Sequence, residues 1–234
     1  LTKKLHVTLS VLRAMEEQGI LVIESQDALR NPVCYRRTEE KETILTKEQE
    51  QAVSAFVQDY EKGYRKTYLV YGVTGSGKTE VYMKMIQHVV ENGKQAIVLI
   101  PEIALTYQTV LRFYNRFGNR VSILNSRLSQ GERSDQMERV KRGEVDVMIG
   151  PRSALFTPFE NLGLIVIDEE HETTYKSEQV PRYHARETAI RRAKLEGASV
   201  VLGSATPSLE AFYRCRQGEF TLLELKNRAT AQSL

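Results

Sequence analysis

Residues 72–79 read Gly72-Val73-Thr74-Gly75-Ser76-Gly77-Lys78-Thr79. Every constrained position of the pattern G-x-x-x-x-G-K-[ST] is met, with an apolar, strand-like run at 68–71 before it and a helical stretch at 79–91 after it. Glycines let successive backbone N–H groups turn inward around an anion, where Cβ atoms would obstruct them. The helix that follows adds the positive end of its dipole. In such a loop Lys78 reaches the β- and γ-phosphates of a nucleoside triphosphate as a mobile charge, and the Thr79 hydroxyl ligates Mg²⁺. The competing reading is a glycine-rich turn that happens to fit, and the strand–loop–helix context disfavours it.

Working outward, short apolar runs recur at 96–100, 121–124, 145–149, 164–167 and 200–202, most of them bounded by Gly, Pro or Asp. A helical stretch is expected at 103–117. Short buried strands alternating with helices point to βαβ units and a mostly parallel sheet covered on both faces, an α/β fold. Upstream, Val7, Val11, Leu12 and Met15 lie at helical spacing with Gly19 as the expected end of the helix. Residues 20–23 read as a strand and Asn31-Pro32 as a turn. This opening is either the end of a winged-helix module or a packing extension. The polar, charged stretch that follows reads as a linker.

The second chemical signal is Asp168-Glu169-Glu170-His171, which follows directly on the apolar run Leu164-Ile165-Val166-Ile167. A carboxylate at the end of a buried parallel strand lies at the edge of the sheet where ligands bind. Asp168 is then placed to hold Mg²⁺ through water, and Glu169 to orient and deprotonate an attacking water. The bland alternative is an acidic cluster capping the next helix. Paired with the phosphate loop, the catalytic reading is stronger, and the adjacent Glu favours hydrolysis over transfer to a bound acceptor.

Composition narrows the class without deciding it. The chain has 234 residues, 41% hydrophobic and 27% charged, with a net charge of +3. That allows one full-sized core and is compatible with nucleic acid without arguing for it. Cys34 and Cys215 stand far apart and outside any Cys/His spacing, so a zinc site or disulfide framework is not expected. No apolar run approaches the roughly 18 residues that a membrane span needs. The chain opens on Leu1, and the expectation is a piece of a longer protein.

The acidic box, together with Gly203-Ser204-Ala205-Thr206-Pro207-Ser208 after the next core strand, resembles motifs II and III of helicase superfamily 2. Further blocks make the chain similar to the DExH replication-restart helicases of that superfamily. They are VYGVTGSGKTEV at 70–81, Pro101-Glu102-Ile103-Ala104-Leu105-Thr106, Arg152-Ser153-Ala154-Leu155-Phe156-Thr157-Pro158-Phe159, residues 165–175, Arg182-Tyr183-His184-Ala185-Arg186 and residues 203–209. The likeness runs over nearly all of residues 45–225. It implies a RecA-like P-loop lobe at 45–234, a linker at 36–44, and at 1–35 a partial winged-helix remnant.

The resemblance also implies roles. ATP with Mg²⁺ would sit on the phosphate loop, with Gln49 reading the adenine edge. Locally, Gln49 reads only as a surface residue near a helix start. Ser204, Ala205 and Thr206 would couple the nucleotide state to DNA grip. Tyr175, Lys176, Tyr183, His184 and Arg186 would belong to an aromatic-rich loop sensing single-stranded DNA, for which stacking rings interleaved with cations are suited. Without the resemblance this is as well read as an ordinary surface loop. Arg152 would line the strand path. Pro151 stands where Thr is usual, and Asn125-Ser126-Arg127 where His-Ser-Gly is usual, which weakens those two DNA contacts.

The implied whole is an ATP-dependent 3′→5′ DNA helicase that acts in primosome assembly at stalled forks, in a bacterial cytoplasm and at the nucleoid. Its partners would be single-stranded and forked DNA, primosome proteins and single-strand-binding protein. The second lobe with its arginine fingers, and the zinc cysteines of this family, fall outside these residues, so no zinc is expected here and the lobe alone is expected to be inactive. Two alternatives stand beside this reading: a duplex translocase that does not separate strands, and a non-catalytic nucleotide-binding scaffold.

Overall fold

The computed structural model describes residues 8–22, 29–30 and 44–229. Seven strands form one parallel sheet: β1 (Thr67–Gly72), β2 (Gln95–Leu99), β3 (Val121–Ile123), β4 (Val147–Gly150), β5 (Leu162–Ile167), β6 (Ser199–Ser204) and β7 (Phe220–Leu225), in the spatial order β3-β4-β2-β5-β6-β1-β7. The helices are α1 (Leu9–Glu17), α2 (Lys47–Glu61), α3 (Lys78–Glu91), α4 (Tyr107–Phe117), α5 (Gln130–Lys141), α6 (Ala185–Glu196) and α7 (Leu209–Arg216). No described helix is long and apolar enough to cross a membrane.

Side chains alternate across a strand, so consecutive apolar residues feed two separate cores. Tyr68 and Val70 of β1, Val98 of β2 and Val166 of β5 face a layer built on Phe56 of α2, Ile86 of α3 and Phe113 of α4. Leu69, Leu99, Ile165 and Leu202 face the other side, against Val140 of α5, Ala189 and Ala193 of α6, and Ala211 of α7. Both faces are covered, which is why the strands read as unbroken apolar runs rather than alternating ones.

The strand order positions the chemistry. β6 lies between β5 and β1, with Ile167 beside Leu202 and Tyr71 beside Ser204. The turns after β1, β5 and β6 therefore converge at one carboxyl edge of the sheet.

Several expectations need adjustment. The helix expected at 103–117 is broken: Glu102–Ala104 form a 3₁₀ turn, and Thr106 in an extended conformation caps α4 by accepting from the Thr109 N–H at 3.3 Å. A hydroxyl that can accept from the backbone favours a helix start over a helix interior. Val145 precedes β4 rather than opening it, and β7 was not foreseen. Residues 168–171 form turns leading to a 3₁₀ segment at Thr173–Tyr175, so the acidic box does not cap an α-helix.

At the amino end, α1 stops as expected, with the Gly19 N–H bonding the Glu16 carbonyl at 2.9 Å. Residues 20–22 are not in a strand. Ile23, the Asn31-Pro32 turn and linker residues 36–43 lie outside the described residues. Arg30 is tied to α5 through a 2.6 Å ion pair with Asp135 and through its carbonyl, which accepts from Gln136 at 2.6 Å.

Candidate functional site

The phosphate loop leaves β1 at Gly72 and enters α3 at Gly77. Gly77 has φ +79, and a Cβ there would stand 2.2 Å from Gln49 Nε2, so both its backbone and its neighbour demand glycine. Lys78 curls back, its Nζ donating to the Gly72 carbonyl at 2.9 Å. Ser76 Oγ is buried with no hydrogen-bond partner among the described residues. α2, α4, α5, α6 and α7 each begin with a side chain accepting from the first turn, but α3 has no such cap. An uncapped helix start, a buried lone hydroxyl and a folded-in lysine form a cradle for an anion. Thr79 sits one residue inside the helix, half-buried.

Gln49 is 2% exposed, not a surface residue. Its Oε1 accepts from the Thr46 N–H at 2.8 Å in a capping box, and its Nε2 donates to the Ser76 carbonyl at 2.8 Å. It thus ties the start of α2 to the phosphate loop.

Asp168 directly follows β5 and is held from two sides. The Tyr82 hydroxyl donates to Asp168 Oδ1 at 3.3 Å, and the Tyr175 hydroxyl donates to the Asp168 carbonyl at 2.6 Å and lies 3.0 Å from the Leu99 carbonyl. Burial, reinforced by the neighbouring Glu169 carboxylate and opposed by Lys78, pushes the Asp168 carboxyl up to about 6. A site that raises a carboxylate in this way is short of positive charge, which a divalent cation would provide. Burial also pushes both tyrosine hydroxyls up, so they act as neutral donors. Glu169 has φ +47, a conformation costly for a residue with a side chain and one that clusters at functional sites.

The rest of the acidic box joins it to the strand beside it. His171 Nδ1 and Ser204 Oγ are hydrogen-bonded at 2.7 Å, and Ser204 Oγ also accepts from the Thr206 N–H at 3.0 Å. His171 Nδ1 lies 3.7 Å from Glu169 Oε2. Ala205 is half-buried between Ser204 and Thr206. Glu170, 2% exposed, accepts from the Ser208 N–H at 2.6 Å and pairs with Arg186 Nη1 at 3.0 Å. Nothing in the sequence beyond position after Glu169 pointed to that buried pair.

The residues expected to contact DNA divide into two groups. Tyr175 is 1% exposed and Arg186 is 7% exposed. Both are corrections: the Tyr175 ring is sealed beneath Asp168 where no base can stack on it, and the Arg186 guanidinium is committed to Glu170 and Ser208. Lys176, Tyr183 and His184, by contrast, line a cleft of about 650 Å³ with Ser177, Glu178 and Arg182. The two segments that line the cleft are joined by a bridge between Lys176 and His184 and by the Ser177 N–H donating to the Tyr183 carbonyl at 2.8 Å. Tyr183 packs edge-on against Phe156, with ring centroids 5.2 Å apart. Arg152 is half-buried rather than free in solvent, donating to the Thr174 and Lys176 carbonyls at 2.8 and 2.9 Å. It holds the backbone of the segment that runs into the cleft at Lys176. Asn125 makes a local turn, its Oδ1 accepting from the Arg127 and Leu128 N–H groups.

With this geometry in hand, comparison with known proteins gives one decisive match: the DEAD/DEAH box helicase model covers residues 46–214. The chain belongs to the DEAD/DEAH box helicase family. Membership implies the use of ATP and Mg²⁺, and the cradle, Lys78 and the cation-deficient Asp168 fit that pair. This helicase chain is 45% identical over 229 residues to replication restart protein PriA of Bacillus subtilis, covering 97% of the chain and 28% of the relative. It is 44% identical to the Haemophilus influenzae protein of the same name, covering 94% of the chain and 30% of that relative. The helicase chain thus spans under a third of the length of these relatives. Among solved structures, RecG bound to a three-way DNA junction superposes with a TM-score of 0.61 at 21% identity, covering 83% of this chain and 25% of that one. The Hef helicase domain of Pyrococcus furiosus superposes at 0.56 and 18% identity, covering 76% of this chain and 38% of that one. These two likenesses concern the fold.

Proposed function

We propose that this chain is the ATP-binding lobe of an ATP-dependent 3′→5′ DNA helicase that restarts replication by supporting primosome assembly at stalled forks. One arrangement carries the reading: the phosphate cradle after β1 and the carboxylates after β5 flank Ser204 on the strand between them. The likeness to the replication restart proteins supports the choice of process, and the bacterial relatives support a cytoplasmic, nucleoid-associated setting.

Lys78 exchanges its Gly72 carbonyl for the β- and γ-phosphates, and phosphate oxygens accept from the first-turn N–H groups of α3, which no side chain caps. Thr79 and Asp168 would hold Mg²⁺, which would supply the positive charge that developing phosphoryl oxygens need. Glu169 takes a proton from the attacking water. A change at Glu169 reaches His171 and then Ser204, so Ser204, Ala205 and Thr206 pass the nucleotide state toward the DNA path. Lys176, Tyr183 and His184 around the cleft, with Arg152 bonded to the Lys176 carbonyl beside it, are the groups proposed to meet single-stranded DNA.

The test is ATP hydrolysis by the full-length protein that contains this chain, with and without single-stranded DNA, beside a Lys78→Ala control. Stimulation that the control loses supports the motor. Hydrolysis indifferent to DNA removes the helicase reading and leaves the nucleotide site. Stronger stimulation by duplex than by single strands favours a translocase instead.

A further inference from the structure

Tyr82 lies four residues after Lys78, one turn further along α3, and is 1% exposed. Its ring belongs to the core layer shared with Val81 and Met83. A phenylalanine would fill that space equally well without a hydroxyl to satisfy, and an unpaired buried hydroxyl is costly. The hydroxyl at this position points at Asp168 Oδ1, 3.3 Å away. It is the one side-chain hydrogen-bond donor found on that carboxylate among the described residues.

The strand beside it is shaped to admit this group. A Cβ built on Gly203 would stand 1.4 Å from the Tyr82 hydroxyl oxygen and 2.5 Å from the ring carbon that bears it. No side chain larger than hydrogen can occupy position 203 while the hydroxyl stays where it is. Gly203 immediately precedes Ser204, and its carbonyl accepts from the Glu170 N–H at 2.9 Å. One phenol oxygen therefore touches the helix of the phosphate loop, the aspartate of the acidic box and the strand that ends in Ser204. Tyr175 complements it: Tyr82 fixes the Asp168 side chain, Tyr175 its carbonyl.

We propose that Tyr82 is a positioning residue that holds the Asp168 carboxylate in the orientation a divalent cation requires, and that Gly203 is glycine to make room for it. The inference rests on the Mg-nucleotide reading of the site. Tyr82 acts through Asp168, its hydrogen-bond partner. Freed of the phenol, the carboxylate samples other rotamers, and metal binding must then reorder it.

The experiment uses the full-length protein that contains this chain and a fluorescent ADP analogue, with binding measured in EDTA and across a Mg²⁺ titration. Tyr82→Phe is expected to need about three- to tenfold more Mg²⁺ for half-maximal enhancement of binding, the range set by the net contribution of one typical hydrogen bond. Its affinity in EDTA is expected to match wild type, because Lys78 and the loop are untouched. Gly203→Ala, whose methyl must displace the hydroxyl, is expected to show the same Mg²⁺ shift and serves as the test should Tyr82→Phe fold poorly. A wild-type protein with no Mg²⁺-dependent binding would overturn the nucleotide reading itself. With wild type behaving as expected, an unchanged Mg²⁺ midpoint in Tyr82→Phe overturns the proposal. So does an equal loss of affinity with and without metal, which is what a purely packing role gives.

Discussion

His171 Nδ1 and Ser204 Oγ share a 2.7 Å hydrogen bond that joins the acidic box to the end of β6. The two residues are 33 positions apart in sequence and meet because β5 and β6 are neighbours in the sheet. Replacing Ser204 with Ala removes the bond while leaving the phosphate loop and Asp168 in place. Nucleotide affinity is expected to stay within about twofold of wild type, while DNA-stimulated hydrolysis falls roughly tenfold, the loss of one such bond in the activated state. Equal stimulation in the variant and wild type would mean that the contact carries no coupling.

Glu169 and Lys78 separate chemistry from binding. Glu169→Gln keeps shape and hydrogen-bonding capacity but cannot take a proton, so kcat is expected to drop about 10²- to 10⁴-fold with nucleotide still bound. Lys78→Ala should instead lose binding. Equilibrium titration beside steady-state hydrolysis distinguishes the two, and a Glu169→Gln variant with full turnover would favour the scaffold reading.

Asp168 gives a pH signature. Burial pushes its carboxyl up to about 6 in the folded chain from an ordinary 3.8, so the folded state holds the proton more tightly than the unfolded state does. The contribution is destabilising above pH 6 and is relieved as pH falls from about 6 toward 4, by at most about 3 kcal/mol. Without Mg²⁺, Asp168→Asn is therefore expected to melt higher than wild type at pH 7, with the difference shrinking toward pH 4.5. With Mg²⁺ present, nucleotide binding by wild type should weaken below pH 6, because a protonated carboxyl is a poor ligand. Melting curves across pH in EDTA check the first expectation; a wild type that melts higher than the variant at pH 7 contradicts it.

Arg186 separates a structural ion pair from a surface one. Leaving Glu170 buried and unpaired in Arg186→Ala is expected to cost about 3–5 kcal/mol, read as a large fall in melting temperature. Arg182, exposed at the mouth of the cleft, is expected to change stability by less than about 0.5 kcal/mol when replaced by Ala. A mild Arg186→Ala would restore that residue as a candidate DNA contact.

In the proposed two-lobed motor, the arginine that completes the site belongs to the other lobe. Such a group is worth on the order of 10³-fold or more in rate, so this chain by itself is expected to bind Mg-nucleotide and hydrolyse it negligibly, with or without DNA. Turnover at the full-length rate would contradict this.

The parts of the fold that depend on local pattern were legible. The octapeptide at 72–79 and the apolar run ahead of Asp168 declare themselves, because each motif must sit at the end of a buried strand. Buried roles were harder to see. Tyr175 and Arg186 carry the same letters whether they face DNA or plug the underside of the acidic box, and only the path of residues 168–186 decides. β7 escaped because its burial is uneven and its last residues, such as Glu224, alternate with apolar ones at an edge. Gln49 was placed near a helix start, but its contact with Ser76 spans 27 residues and leaves no periodic trace. Tyr82 gave no motif at all; its partner Gly203 was legible only as the first letter of a known block.

The bare amino end of α3 has a consequence for how ligands will be found. Five other helices complete their first turn with a side chain of their own; α3, like α1, does not, and its start is open to an anion from solution. Any compound with a phosphate-like group would then rigidify this region, and inorganic phosphate or sulfate in a buffer would compete with nucleotide and mask weak hits in a melting screen. Screens for inhibitors of this lobe belong in buffers free of such anions, and a raised melting temperature alone will report occupancy of the loop rather than recognition of the base.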